Sequence, residues 1–275
     1  MLKQRVITAV VLLALLVGAL AWSTVAFELL ATAIVAAALG EWLQLVGWPR
    51  GRAVAGGAFF GAALFLLALL APKWVERALL PLSLLATIVW AGLAVLLLQP
   101  DAMSVRMPRG VSTVLAVLMT AAAWFALVHF LLEGVEMLLS VLAIVWLADT
   151  AAYFAGRAFG KRKLAPHISP GKTWAGVVGA VIAVIGVAVI AHQVAPGAGL
   201  LSSRLLAELG AVGAGLLALV VLLSIVGDLF ESLLKRQAGV KDSSHLLPGH
   251  GGFYDRVDAL LPALPLAALL EWMAR

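Results

Sequence analysis

The sequence predicts an all-α integral membrane protein of about nine transmembrane helices. Hydrophobic residues make up 64% of the 275, and the mean hydropathy of +1.10 leaves too few polar side chains to cover a soluble surface. The apolar residues gather into nine runs, most of them near the roughly 20 residues that cross a bilayer. The 19 lysines and arginines sort unevenly onto alternate connectors between those runs. No internal repeat, low-complexity tract or soluble domain interrupts the pattern.

Taken in order, the first run, Val6–Ala21, has features of a signal peptide, with Lys3 and Arg5 before it and Ala19-Leu20-Ala21 resembling a cleavage site. Eight further runs follow, so it is read as a retained helix. Thr24–Val46 holds Glu28 and Glu41, both near its ends, where an interfacial position spares a carboxylate the cost of burial. Ala53–Ala71 and Leu79–Leu98 carry no charge, and Val111–Leu132 carries His129, read as structural or interfacial. Residues 1–132 are therefore expected to form an N-terminal scaffold, and residues 133–275 a C-terminal catalytic region. The remaining runs are Val135–Phe154, Trp174–Val194, Leu205–Val226 and Ala259–Met273; the first and the last of the nine are short. Of the nine tryptophans, Trp124 and Trp146 lie deep inside apolar runs and read as packing residues, whereas others fit aromatic anchoring at membrane interfaces.

With the N-terminus inside, only Lys73, Arg77, Arg204 and Arg275 fall outside, and the other fifteen basic residues face the cytoplasm. Fifteen against four predicts N-in and C-out, and places both long polar connectors on the side where nucleotides are found. The net charge of +5 suits anionic partners, with a meaning that depends on the side of the membrane. Zero cysteines exclude disulfides, thiolate metal sites and cysteine nucleophiles.

The sixth run carries Asp149 toward its end, with Tyr153 one turn on and small residues at 148, 151, 152, 155 and 156 that allow close helix approach. Asp149 is either a functional acid or a partner for one of the bases that follow. Five of those bases lie between Gly156 and Thr173, a connector that closes with HISPGKTWAG. Gly171-Lys172-Thr173 invites a phosphate-loop reading, but Pro166 stands where that motif needs a glycine, and no strand is expected before it. Lys172 beside Ser169 and Thr173 at the mouth of a helix still suits a phosphate.

Polarity concentrates most in the 27 residues 232–258, SLLKRQAGVKDSSHLLPGHGGFYDRVD, with seven charged side chains and two histidines in a chain only 12% charged. Asp228, Glu231, Ser232, Lys235 and Arg236 fall within an arc of roughly 140° at helical spacing. Asp255 and Asp258 share a face at i, i+3. Glycines 239, 249, 251 and 252 permit close backbone approach, while Lys235, Arg236, Lys241 and Arg256 supply positive charge. Carboxylates for a hard cation and bases for phosphates together suggest a metal–nucleotide site. An ordinary positively charged cytoplasmic loop would account for the bases, but not for the acids or the HGG run.

The run SLLKR, four residues, KD, and then LPGHGGFYDRVD resembles the signature of the phosphatidate cytidylyltransferases, the CDP-diacylglycerol synthases. The acid–tyrosine helix and the SPGKTW run are similar to that family as well, except that some members have Lys and Glu where this chain has Gly171 and Ala175. Together the two regions cover about residues 145–258. The resemblance implies transfer of a cytidylyl group from CTP to phosphatidic acid at a bacterial-type inner membrane, among membrane lipids, without nucleic acid and with a homodimer compatible. It implies Mg²⁺ on Asp228 and Asp255, and room for a second cation near Asp258 or Glu231. Ser232, Lys235, Arg236, Lys172 and Lys241 are then expected on substrate phosphates, with Ser169, Thr173, Asp149, Asp242, Gly251, Gly252 and Arg256 completing the substrate site. His250 is expected either to donate to a phosphate or to cap its turn.

Two rivals stand beside this reading. A solute transporter would place its charges near the midplane and carry repeat symmetry, whereas these residues are expected at one edge, in loops. A different lipid-headgroup transferase, such as a CDP-alcohol phosphotransferase, would need a run of four aspartates that this chain lacks.

Overall fold

The computed structural model describes residues 2–99 and 101–275, with the side chains of residues 2, 3 and 5 left aside, so the charges counted on Lys3 and Arg5 lie outside the described residues. Helices dominate: α1 (Leu2–Trp22), α2 (Thr24–Leu45), α3 (Arg50–Leu70), α4 (Pro72–Leu97), α5 (Arg109–Glu133), α6 (Val135–Phe159), α7 (Trp174–Val194), α8 (Leu201–Ala238), α9 (Tyr254–Val257) and α10 (Leu260–Met273). All nine expected runs fold as helices. Seven of them, α2 to α8, are long and apolar enough to cross a membrane, whereas the apolar part of α1 and the 14-residue α10 are shorter. The chain is a multi-pass membrane protein by this pattern, and large apolar side chains such as Val10, Phe59 and Ile182 point outward from it.

Three departures from the expected pattern shape the site. The connector after α6 folds into a small antiparallel hairpin, β1 (Lys163–Ala165) with β2 (Ser169–Thr173), so the GKT run lies within a strand and none precedes it in the phosphate-loop manner. The eighth run is broken at Gly210, whose φ of 51° and ψ of −124° turn residues 201–209 back on the rest of α8. Beyond that break α8 runs unbroken through Val226 to Ala238, burying Leu229, Phe230, Glu231, Leu233 and Leu234 while Asp228, Ser232 and Lys235 are half-buried and Arg236 is exposed. Finally, α10 begins deep rather than at the surface. Asp228 lies ten residues before Ala238, about 15 Å along the helix axis at 1.5 Å per residue. The 258–260 junction meets α8 at that depth, so 14 further residues, about 21 Å, reach the opposite end.

The close meeting depends on Gly227. A Cβ there would collide with the Asp258 carbonyl oxygen and lie 2.8 Å from the Pro262 ring. Aromatic packing fixes α9 from the other side: Trp42 stacks on Tyr254 at 5.1 Å and tilts against Phe230 at 5.4 Å, and Trp90 meets Phe230 edge-on at 5.6 Å. All four rings are buried, which ties α2, α4, α8 and α9 into one core. Trp124 packs as expected and donates to Thr32 Oγ1 at 2.8 Å. Trp146 instead is 45% exposed and borders a cavity.

At the far end of α10, Glu271 is buried among His129, Arg204 and Arg275, with Glu133 completing the group. The structural role expected for His129 is met there, 3.3 Å from Glu271 Oε2.

Candidate active site

The polar arc of α8 and the acids after α9 converge. One oxygen each from Asp228, Glu231 and Asp258 lie within 4.8 Å of one another, an arrangement able to hold a cation. Lys235 Nζ bridges Glu231 Oε2 at 2.6 Å and Asp255 Oδ1 at 2.7 Å. Lys172, at the end of β2, reaches Asp228 Oδ2 at 2.7 Å and the Ile225 carbonyl at 3.5 Å. Ser232 donates to Asp228 Oδ1 at 3.4 Å, and Asp149 on α6 is within electrostatic reach of both Asp228 and Lys172. Five carboxylates thus face two ammonium groups. The second Glu231 oxygen, Oε1, is buried without a hydrogen-bond partner. Excess negative charge and an unpartnered oxygen both fit a bound divalent cation.

The helix positions agree with the helical spacing of residues 228–236, and correct only the expectation that the polar groups cluster in loops at one edge. Asp149, Asp228, Glu231, Ser232 and Lys235 all lie on helices, with Asp228 about 15 Å inside the end of α8.

Asp255 stands in a different environment from the three grouped acids. Its Oδ2 accepts from Ser243 N at 2.9 Å and Gly252 N at 2.8 Å and lies 2.7 Å from Ser243 Oγ, while Oδ1 takes Lys235. Burial by itself would raise its pKa, but the hydrogen bonds it accepts, those from Lys235, Gly252 and Ser243 among them, outweigh that and hold it well below the usual carboxylate range. Where the family resemblance paired Asp228 with Asp255, the geometry groups Asp228 with Glu231 and Asp258, and gives Asp255 to Lys235 and its own loop.

The other expected residues lie in several places. Lys241, Asp242, His250, Gly251 and Arg256 line a polar cavity of about 560 Å³ beside the 241–251 segment, and Arg256 donates to the His250 carbonyl at 2.8 Å. Arg236 points away from Lys235, its Nε 3.4 Å from the Ile168 carbonyl of the hairpin, near Ser169. The Thr173 hydroxyl caps α7, accepting from Gly176 N at 3.1 Å, and is buried. Gly252 is packed so tightly against Ser243 and Glu41 that a side chain would collide with both.

Glu41 is the residue that sequence reasoning missed. Read as interfacial, it is 1% exposed and accepts hydrogen bonds from Ser243, Ser244, Phe253 and Tyr254. A lone acid near a helix end carries no spacing signal.

An apolar cavity of about 690 Å³ lies between α1, α2, α5, α6 and α10, and its polar end is formed by the same His250 and Arg256 that border the polar cavity.

Known proteins resemble the chain over nearly its whole length. The model described as the cytidylyltransferase family matches residues 3–273. The chain is 41% identical over 282 residues to a phosphatidate cytidylyltransferase of Pseudomonas aeruginosa, covering 100% of this chain and 98% of that one. It is 36% identical over 285 residues to the Haemophilus influenzae protein of the same name, with 96% of each chain covered. A Bacillus subtilis protein of that name matches at 38% over 140 residues, about half of each chain.

Proposed function

This chain belongs to the cytidylyltransferase family, and we propose that its partly buried carboxylate–lysine cluster transfers a cytidylyl group from CTP to phosphatidate. The products are CDP-diacylglycerol and pyrophosphate, which makes the protein an enzyme of phospholipid synthesis. The observation that carries the reading is the convergence of Asp228, Glu231 and Asp258 within 4.8 Å, flanked by Lys172 and Lys235.

In this reaction a phosphate oxygen of phosphatidate attacks the α-phosphorus of CTP, a new P–O–P bond forms, and the bond to the β-phosphate breaks with pyrophosphate as leaving group. The nucleophile is already largely ionised near neutral pH, so no general base is required. Catalysis rests on positioning and on neutralising phosphate charge. Asp228, Glu231 and Asp258 would hold Mg²⁺, which supplies charge neutralisation and orientation of phosphate oxygens. Lys172 and Lys235 carry their ammonium groups on flexible stems beside those acids, where each can exchange a carboxylate for a phosphate oxygen. Asp255 keeps Lys235 charged and aimed.

The two cavities support an assignment of sides. Water-soluble CTP suits the polar cavity, with Lys241 and His250 at its wall, and an acyl chain suits the apolar one. Arg256, common to both, is placed to meet the phosphate at their junction. We assign the site to the cytoplasmic side of the inner membrane, with the N-terminus inside, because the fifteen-to-four charge ratio favours it.

The test uses purified protein, phosphatidate in mixed micelles, and CTP labelled on either the α- or the γ-phosphate. The α-label is expected in the chloroform-soluble product and the γ-label in pyrophosphate. Neither label entering lipid would leave the transporter reading standing, and γ-label in lipid would mean phosphoryl rather than cytidylyl transfer.

A further inference from the structure

We infer that Glu41, on α2, is a positioning residue for this reaction, holding the 243–254 segment so that Asp255 fixes Lys235 at the carboxylate cluster; the inference rests on the proposed role of Lys235.

The Glu41 carboxylate is the hub of that segment. Its Oε1 accepts from Ser244 Oγ at 2.7 Å and from Phe253 N at 3.1 Å. Its Oε2 accepts from Ser243 Oγ at 2.9 Å and from Tyr254 N at 2.7 Å. Donors from both ends of a loop more than ten residues long therefore meet on one buried group. The Ser243 hydroxyl also lies 2.7 Å from Asp255 Oδ2, and Asp255 Oδ1 accepts from Lys235. A continuous chain of contacts thus runs from Glu41 through Ser243, Asp255 and Lys235 to Glu231.

The chemistry requires a carboxylate and not merely its volume. Each oxygen faces one backbone N–H and one hydroxyl. The hydroxyls can rotate, but the two N–H groups cannot, and both need acceptors. A glutamine amide in either orientation sets its NH₂ against one of these backbone donors. Turning the amide over cannot relieve the conflict. Gly252 belongs to the same device, because only a residue without a Cβ lets the chain pass between Ser243 and Glu41.

A chain without cysteine permits a clean test, since a spin label on Leu246→Cys, which is 54% exposed, reports the motion of the segment independently of turnover. Glu41→Gln is expected to increase the mobility of that label and to lower turnover at least about tenfold. In a Lys235→Arg background, Glu41→Gln should lower turnover by no more than about twofold further, because both changes act through the same ammonium group. An unchanged label spectrum, wild-type turnover, or a loss that multiplies in full on Lys235→Arg would each overturn the inference. If Glu41→Gln does not fold, the Ser243→Ala/Ser244→Ala pair removes two donors and spares Glu41 itself; it should mobilise the label in the same sense, and an unchanged spectrum there overturns the inference equally. Wild-type turnover in Lys235→Arg alone would instead remove Lys235 from the proposed site, while the label still reads the hold of Glu41 on the segment.

Discussion

Lys235 and Arg236 are neighbours in sequence and point apart in space. Lys235 is clamped between Glu231 and Asp255, whereas Arg236 turns toward the hairpin carbonyl of Ile168. If their only task were to mark the cytoplasmic side, Lys235→Arg would be silent and the two could be exchanged. A planar guanidinium cannot replace a compact ammonium between two carboxylates at 2.6 and 2.7 Å. Lys235→Arg should therefore keep expression and topology but lower turnover at least about tenfold, or roughly 1.4 kcal/mol of transition-state stabilisation. The exchanged pair should fare no better, as steady-state kinetics on both variants will tell; wild-type rates would take both residues out of the site. Asp255 sets a pH condition on the same clamp. Its pKa is depressed on folding, so its stabilising contribution is present above the ordinary carboxylate pKa and is lost only as pH falls below that range. A fall in activity between pH 7 and 5 that vanished in Asp255→Asn would contradict this.

At the scale of elements, the site exists because α8 and the α9–α10 junction touch at Gly227. Gly227→Ala should force the two apart, with an overpacking cost of about 1–3 kcal/mol, and should raise the Mg²⁺ concentration needed for half-maximal rate because Asp258 moves from Asp228. A thermal midpoint and Mg²⁺ dependence equal to wild type would show that the contact is not needed. This part of the molecule was legible in sequence wherever periodicity applies: residues 228, 231, 232, 235 and 236 declared a common face at helical spacing, and the helix obeys it. Distances between elements were not legible. Asp255 and Asp258 share a helical face yet have different partners, because one is claimed by its own loop and the other by α8. The break at Gly210 was hidden, since a glycine in an apolar run looks the same whether the helix bends there or not. The 163–173 hairpin was hidden too, being only three and five residues per strand. Glu41 went unread for a related reason: its partners lie some 200 residues away, and they are serines and backbone amides, which carry no sequence signal.

Across the whole molecule, the deep start of α10 reconciles a 14-residue helix with a bilayer of about 30 Å. The bundle is entered from one end by a sunken polar site and closed at the other by Glu271, His129, Arg204 and Arg275. Reporter fusions should place the 160–173 and 239–253 segments on the cytoplasmic side, and residue 275 on the opposite one. A cytoplasmic reporter at residue 275 would mean that α10 does not complete a crossing. The central claim, that Asp228, Glu231 and Asp258 form the reacting centre, is tested most directly by CTP-dependent labelling of lipid with purified Asp228→Asn, Glu231→Gln and Asp258→Asn at saturating Mg²⁺. Each variant is predicted to insert and fold but to label lipid at less than about a hundredth of the wild-type rate, the scale on which one preorganised electrostatic partner counts in a transition state. Near-normal labelling by any of the three correctly folded variants would contradict the claim and return that acid to the scaffold.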